Sequence, residues 1–154
     1  MLEIPRSAAP SSSLPWRGFH HIALVTRDLD ETVYFYRDVL GMQAGEVSTQ
    51  TAQGTGRRHL FIAPGDTKSW GLHVFENASA KQETATLGET LETMDVGVQH
   101  LAFALPDENA AQVLRQRLGK HGVEITPVRT LGPICNTLFQ DNSGFLIEAT
   151  WPAP

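Results

Sequence analysis

The 154-residue sequence predicts an α+β fold made of two copies of one module. Three observations predict it. The order strand, helix, three strands can be read twice along the chain. Residues in the two halves repeat at a fixed offset. A polar stretch with few large apolar side chains separates the halves.

The first copy begins after residues 1–17 (MLEIPRSAAPSSSLPWR), a Pro/Ser/Ala-rich segment that reads as a flexible arm, with Trp16 as its one large packing group. Residues 18–25 (GFHHIALV) alternate as a strand should. Asp28 or Asp30 can cap the helix that follows, where Val33, Tyr36, Val39 and Leu40 recur at helical spacing up to Gly41, a natural C-cap. Strands are expected around 44–51, 58–62 and 71–76, with Gly54-Thr55-Gly56 and Pro64-Gly65-Asp66 as turns. Residues 77–95 read as a linker. The order then restarts. A strand at 98–105 leads to a helix at 107–118 capped by Asp107, and strands follow around 123–128, 136–140 and 145–151. Residues 141–144 (DNSG) supply a hairpin turn. The residues from 21 to 25 (HIALV) answer those from 100 to 104 (HLAFA) at 100 − 21 = 79, and Asp28 answers Asp107 at the same offset. Module 1 is thus about 18–76 and module 2 about 96–151, within a single domain spanning 18–151.

Composition narrows the function. The chain is 41% hydrophobic and 19% charged, enough for a core without disulfides or structural metal. Its 12 basic and 17 acidic residues form no basic cluster, which argues against nucleic acid or an anionic membrane as partner. One cysteine, Cys135, excludes an internal disulfide framework. Without an apolar leader or a run near the roughly 20 apolar residues of a membrane helix, a cytoplasmic protein is expected.

The repeat also singles out a site. His21 and His100 occupy matching places in equivalent strands, and Glu148 stands in the otherwise apolar run 145–151 (FLIEATW). If the halves pair about a pseudo-twofold axis, these three converge on it as two imidazoles and one carboxylate, a facial set that leaves open positions for substrate. Burying Glu148 without a cation is costly. His20 competes with His21, but the second half has Gln99-His100 where the first has His20-His21, which selects His21. The donors suit one divalent ion, whether Fe(II), Mn(II), Co(II), Ni(II) or Zn(II).

These residues resemble the vicinal oxygen chelate superfamily, which includes glyoxalase I, extradiol dioxygenases, fosfomycin-resistance transferases and bleomycin-resistance proteins. The likeness lies in residues 21–30 (HIALVTRDLD), 35–42 (FYRDVLGM) and 140–148 (QDNSGFLIE), and covers about 18–151. It implies paired βαβββ modules, a U-shaped mixed sheet around a metal, and a homodimer, with modules paired within one chain or exchanged between chains. It also implies up to four ligands, from the first and last strands of each module. The fourth would come from residues 70–76 (WGLHVFE). Matching Gly71 to Gly144 puts Phe75 opposite Glu148, whereas a one-residue bulge puts Glu76 there as a fourth ligand. With Phe75, the resemblance implies a dioxygenase-like two-His-one-Glu site, with Fe(II) favoured, and strand alternation puts His73 on the same face as a candidate acid/base. With Glu76 or His73 as ligand, it implies a glyoxalase-like lyase or isomerase. A metal-free small-molecule (antibiotic) binding protein is the third expectation. His59, Phe75, Phe103 and Cys135 are candidate substrate contacts.

Overall fold

The computed structural model describes residues 18–51, 54–66, 70–81, 84–92 and 98–154. The N-terminal arm, with Trp16, lies outside the described residues.

Among the described residues, nine strands form two sheets. The first holds β1 (His21–Thr26), β5 (Gly71–Glu76), β4 (Gly54–Ala63) and β2 (Gln43–Ala44) in that order, with β3 (Ser48–Thr51) also paired to β4. The second runs β6 (His100–Ala104), β9 (Leu146–Pro152), β8 (Ile134–Gln140) and β7 (Arg129–Leu131). In each, the first strand pairs parallel with the last and the rest are antiparallel. The modules expected from the repeat are therefore present, and each carries its own sheet.

Asp28 and Asp107 cap equivalent helices. Asp28 accepts from the Glu31 N–H at 3.0 Å, opening α1 (Leu29–Val33), and Asp107 from the Ala110 N–H at 2.8 Å, opening α3 (Glu108–Lys120). The first helix departs from the expected regular pattern, since α1 passes into a π-helical turn, Tyr34–Val39. The Leu40 N–H bonds to the Phe35 carbonyl at 2.9 Å, a wide turn that lets the adjacent Phe35 and Tyr36 both be buried. Gly41 ends it at φ 78°. The expected linker contains a helix, α2 (Leu87–Glu92). Thr86 and Glu89 bond reciprocally as a capping box, and Leu87 is buried. The strand expected at 123–128 shrinks to one bridge, Ile125 to Phe139, and pairing resumes at β7. Pro127 lacks the N–H that a ladder needs.

One apolar cluster joins the modules. Leu60, Ile62, Leu72 and Val74 from the first sheet meet Phe35, Tyr36 and Val39, together with Leu118, Phe139, Ile147 and Ala149 from module 2. Polar locks reinforce it. The Tyr36 hydroxyl donates to Asp141 Oδ2 at 2.8 Å in a buried contact, and Arg117 Nη2 donates to the Asp38 carbonyl at 3.0 Å. Each sheet thus spends one face on the shared core. The opposite face of the first sheet is open, whereas on that of the second Leu146, Asn136 and Glu148 are buried and Gln140 donates to the Ala85 carbonyl and to Thr90 of α2. His21, Ala23 and Val25 of β1 are exposed on the open face of the first sheet.

Gly71 holds β5 against β4. A Cβ there would lie 2.8 Å from the Ile62 carbonyl oxygen, which belongs to the strand pairing. Gly71→Ala is expected to cost about 1–3 kcal/mol by urea unfolding, since neither strand can yield without disturbing the ladder.

Candidate metal centre on the open faces

On the corresponding face of the second sheet, His100 Nε2 lies 2.8 Å from Glu148 Oε2. Asn136 Nδ2 donates to Glu148 Oε1 at 2.7 Å. A carboxylate oxygen only accepts, so His100 Nε2 carries the hydrogen in this contact; both side chains are of the type that would hold a divalent ion. Glu148 is 9% exposed, and this neighbourhood compensates its burial.

On the open face of the first sheet, His21, the first residue of β1, stands 5.6 Å from His73 between ring centroids. His20 sits before the strand, its Nδ1 2.9 Å from His21 Nδ1, which leaves His21 Nε2 for other use. His73 stacks on Phe61 at 4.0 Å and abuts Phe75 at 4.0 Å. His59 Nδ1 lies 2.8 Å from His73 Nε2, and His59 Nε2 lies 2.9 Å from the Gln50 carbonyl oxygen. Burial holds the His73 imidazole below its ordinary value, and the neighbouring His59 and His21 push the same way.

Strand register changes one assignment. Ala23 pairs with His73 across β1 and β5, and Ala102 pairs with Glu148 across β6 and β9. Since 102 − 23 = 79, the repeat offset, His73 is the partner of Glu148 by symmetry. The sequence expectation put Phe75 there by matching Gly71 to Gly144. Those glycines are not equivalent: Gly71 lies within a paired strand, and Gly144 is a turn residue at φ 82°. Glu76 points elsewhere. Its Oε1 accepts from Arg58 Nη1 at 3.0 Å and from the Leu29 N–H at 3.2 Å, on the helix side of the sheet.

Two expected substrate contacts also sit on the wrong side. Phe103 packs against the shared core and stacks with Trp70 at 6.0 Å. Cys135 is buried with Ala111 and Trp151. Both alternate with the residues on the face that bears His100 and Glu148, so neither can line it. His59 and Phe75 are on the open face, stacked at 5.3 Å. Asn136 was missed by sequence reading; an asparagine gives no signal until its strand partner is known.

The two half-sets stay apart within one chain. Among the described residues, no three His, Cys, Asp or Glu side chains are grouped to hold a metal ion, so His21 does not join His100 and Glu148. No helix among the described residues is long and apolar enough to cross a membrane.

Comparisons with known proteins agree with this architecture. Mouse mitochondrial methylmalonyl-CoA epimerase is 37% identical over 71 residues, 45% of this chain and 39% of the epimerase, so the chain matches well under half of that protein's length. A glyoxalase/dioxygenase structure from Nostoc punctiforme superposes with a TM-score of 0.71 at 22% identity, covering 96% of this chain and 100% of that one. A glyoxylase/bleomycin resistance protein/dioxygenase domain from Frankia sp. EAN1pec gives 0.69 at 22% identity, covering 90% and 99%. At that identity, both show a common fold. The model of the Glyoxalase/Bleomycin resistance protein/Dioxygenase superfamily matches residues 18–149, nearly the whole chain, and the protein belongs to that superfamily.

Proposed function

We propose that this chain is a divalent-metal enzyme that moves a proton on a small oxygen-chelating substrate, as a glyoxalase-type isomerase or lyase. The register equivalence of His73 with Glu148 carries this reading. It makes a four-ligand set of His21, His73, His100 and Glu148, whose imidazoles and carboxylate fit Fe(II), Co(II), Ni(II) or Zn(II). The ion, when bound, supplies a Lewis acid and a template for two substrate oxygens. Glu148 is the carboxylate of the set and holds the substrate proton at Oε2 during transfer, while Asn136 retains Oε1. Phe61 and Phe75 pack on the His73 ring and Val25 pairs with Phe75, which gives this half of the set an apolar surround.

The set is completed in a homodimer with exchanged modules, His21 and His73 of one copy facing His100 and Glu148 of the partner subunit. The separation of the half-sets within one chain supports this, as does the exposure of Val25 and Phe61 on the open face. Complementation tests it. His21→Ala and Glu148→Gln proteins, each lacking intact sites, are unfolded together and refolded as a 1:1 mixture. About one site in four should regain tight metal binding, because half the dimers are mixed and each rebuilds one intact site. No recovery would place each site within one chain.

The epimerase similarity makes methylmalonyl-CoA the first substrate to try. The Co(II)-loaded protein in D2O should introduce deuterium at the carbon next to the thioester, or isomerise hemithioacetals. Absence of both would sink the proton-transfer reading. A dioxygenase-like reading rests on one observation: His73 has one nitrogen bonded to His59, an arrangement that also suits an acid/base beside a two-His-one-Glu Fe(II) site. Oxygen uptake with catechols by the Fe(II) protein would establish it instead. Failure to take up any divalent ion would favour a small-molecule binder.

A further inference from the structure

The pseudo-twofold repeat extends beyond the four ligands. On β4, His59 pairs with Phe75 and Phe61 with His73. On β8, Asn136 pairs with Thr150 and Leu138 with Glu148. His73 and Glu148 are equivalent, so Phe61 corresponds to Leu138 and His59 to Asn136. Each of these last two reaches diagonally to its own module's last-strand ligand, His59 to His73 at 2.8 Å and Asn136 to Glu148 at 2.7 Å. The two modules hold chemically different ligands by the same device.

The hydrogen-bond directions follow from the acceptors. The Gln50 carbonyl can only accept, so His59 Nε2 carries a hydrogen and, in the neutral ring, Nδ1 is a lone pair. His73 must then donate from Nε2, which leaves its Nδ1 bare. Among the described residues nothing bonds that nitrogen. In the second module the carboxylate can only accept, so the Asn136 amide turns its Nδ2 to Glu148, at the cost of a buried Oδ1 with no partner in the described structure. An amide oriented at that cost is oriented for Glu148.

We propose that His59 and Asn136 are equivalent positioning residues that set, respectively, the tautomer and ring plane of His73 and the orientation of Glu148, presenting both to one divalent ion. The role toward the ion rests on the ligand set proposed above; the tautomer does not. His59, expected from the sequence to contact substrate, thereby acts through His73. Partners of this kind typically change metal affinity about 10–100-fold.

The test has two readouts on the full chain. The first needs no metal or activity. At a pH where imidazoles are neutral, side-chain 15N–1H correlation of uniformly labelled protein should show Nε2 protonated and Nδ1 bare in both His59 and His73. In His59→Leu, the two His73 nitrogens should move toward the averaged values of a solvated ring. His59→Asn, which places at this position the residue module 2 uses, should restore the fixed tautomer. A protonated His73 Nδ1, or a His73 tautomer indifferent to His59→Leu, would overturn the proposal. The second readout is Zn(II) affinity by competition with a chromophoric chelator. His59→Leu and Asn136→Leu should each lose about 10–100-fold, with His59→Asn recovering most of its share. Unchanged affinity in both leucine variants would overturn the positioning role. If the wild type binds no Zn(II), the ligand set fails while the tautomer result is still decided by the first readout. Thermal midpoints of the metal-free variants identify a general folding defect, which would lower stability without the asparagine rescue.

Discussion

Replacing Glu148 with glutamine is expected to weaken divalent-metal binding by more than about 100-fold, beyond the range seen for groups that merely support a ligand. The substitution removes the one negative charge of the proposed set. It also sets an amide against His100 Nε2, which in the wild type faces an accepting oxygen at 2.8 Å. The fold should survive, because Glu148 lies on the face opposite the core, its amide replacement is isosteric, and its strand neighbours Ile147 and Ala149 fill the core. Chelator competition together with unchanged circular dichroism would check both halves of this expectation. A Glu148→Gln protein that binds the ion as tightly as the wild type would remove Glu148 from the ligand set. Proton transfer to substrate should fall with it, since the same carboxylate carries the proton in the proposed reaction.

The largest loss of stability is expected at Asp141, far less conspicuous in the sequence. Its Oδ2 accepts from the buried Tyr36 hydroxyl, and its Oδ1 accepts from the Ser143 and Phe145 N–H groups at 2.8 Å each. Asp141→Ala would strand three donors at the junction of the modules. At about 1–3 kcal/mol for each buried group left unsatisfied, partly offset by water entry, a loss of about 3–5 kcal/mol is expected in urea unfolding. A loss below 1 kcal/mol would show that the lock contributes little. The residue also has a pH signature. Burial raises the Asp141 carboxyl above the usual carboxylate range, against the pull of the Phe145, Tyr36 and Ser143 hydrogen bonds. A raised native value means that the folded protein holds this proton more tightly than the unfolded chain. The stability of wild type relative to Asp141→Asn should therefore be highest below the unfolded value and fall as pH rises through the raised native one. A difference that moves the opposite way would show that the hydrogen bonds outweigh burial.

Both residues belong to the segment 140–148, and they differ in how legible they were. Glu148 stood out as a charge within an apolar strand. Asp141 read as a turn former, which it is, but its bond to Tyr36 joins positions 105 residues apart and leaves no local trace. The helix in 87–92 was legible in principle through Thr86 and Glu89, a capping pair hidden in a polar stretch. The π-helical turn was not, because the periodicity of Val33, Tyr36, Val39 and Leu40 fits a regular helix equally well.

The sequence by itself determined the duplicated α+β fold and the equivalence of His21 with His100, on which the proposed choice of His21 over His20 rests. Those follow from alternation and from an offset constant along two strands, both local properties of the chain. Only the tertiary structure decided which residue of β5 answers Glu148, that Glu76 belongs to Arg58, and that Phe103 and Cys135 face the core. Register between strands joined by long connections depends on loop lengths and on packing of the opposite face, which one strand's sequence does not record. The shared core has the same origin, since side chains from both modules meet in it on the faces opposite the ligand-bearing ones.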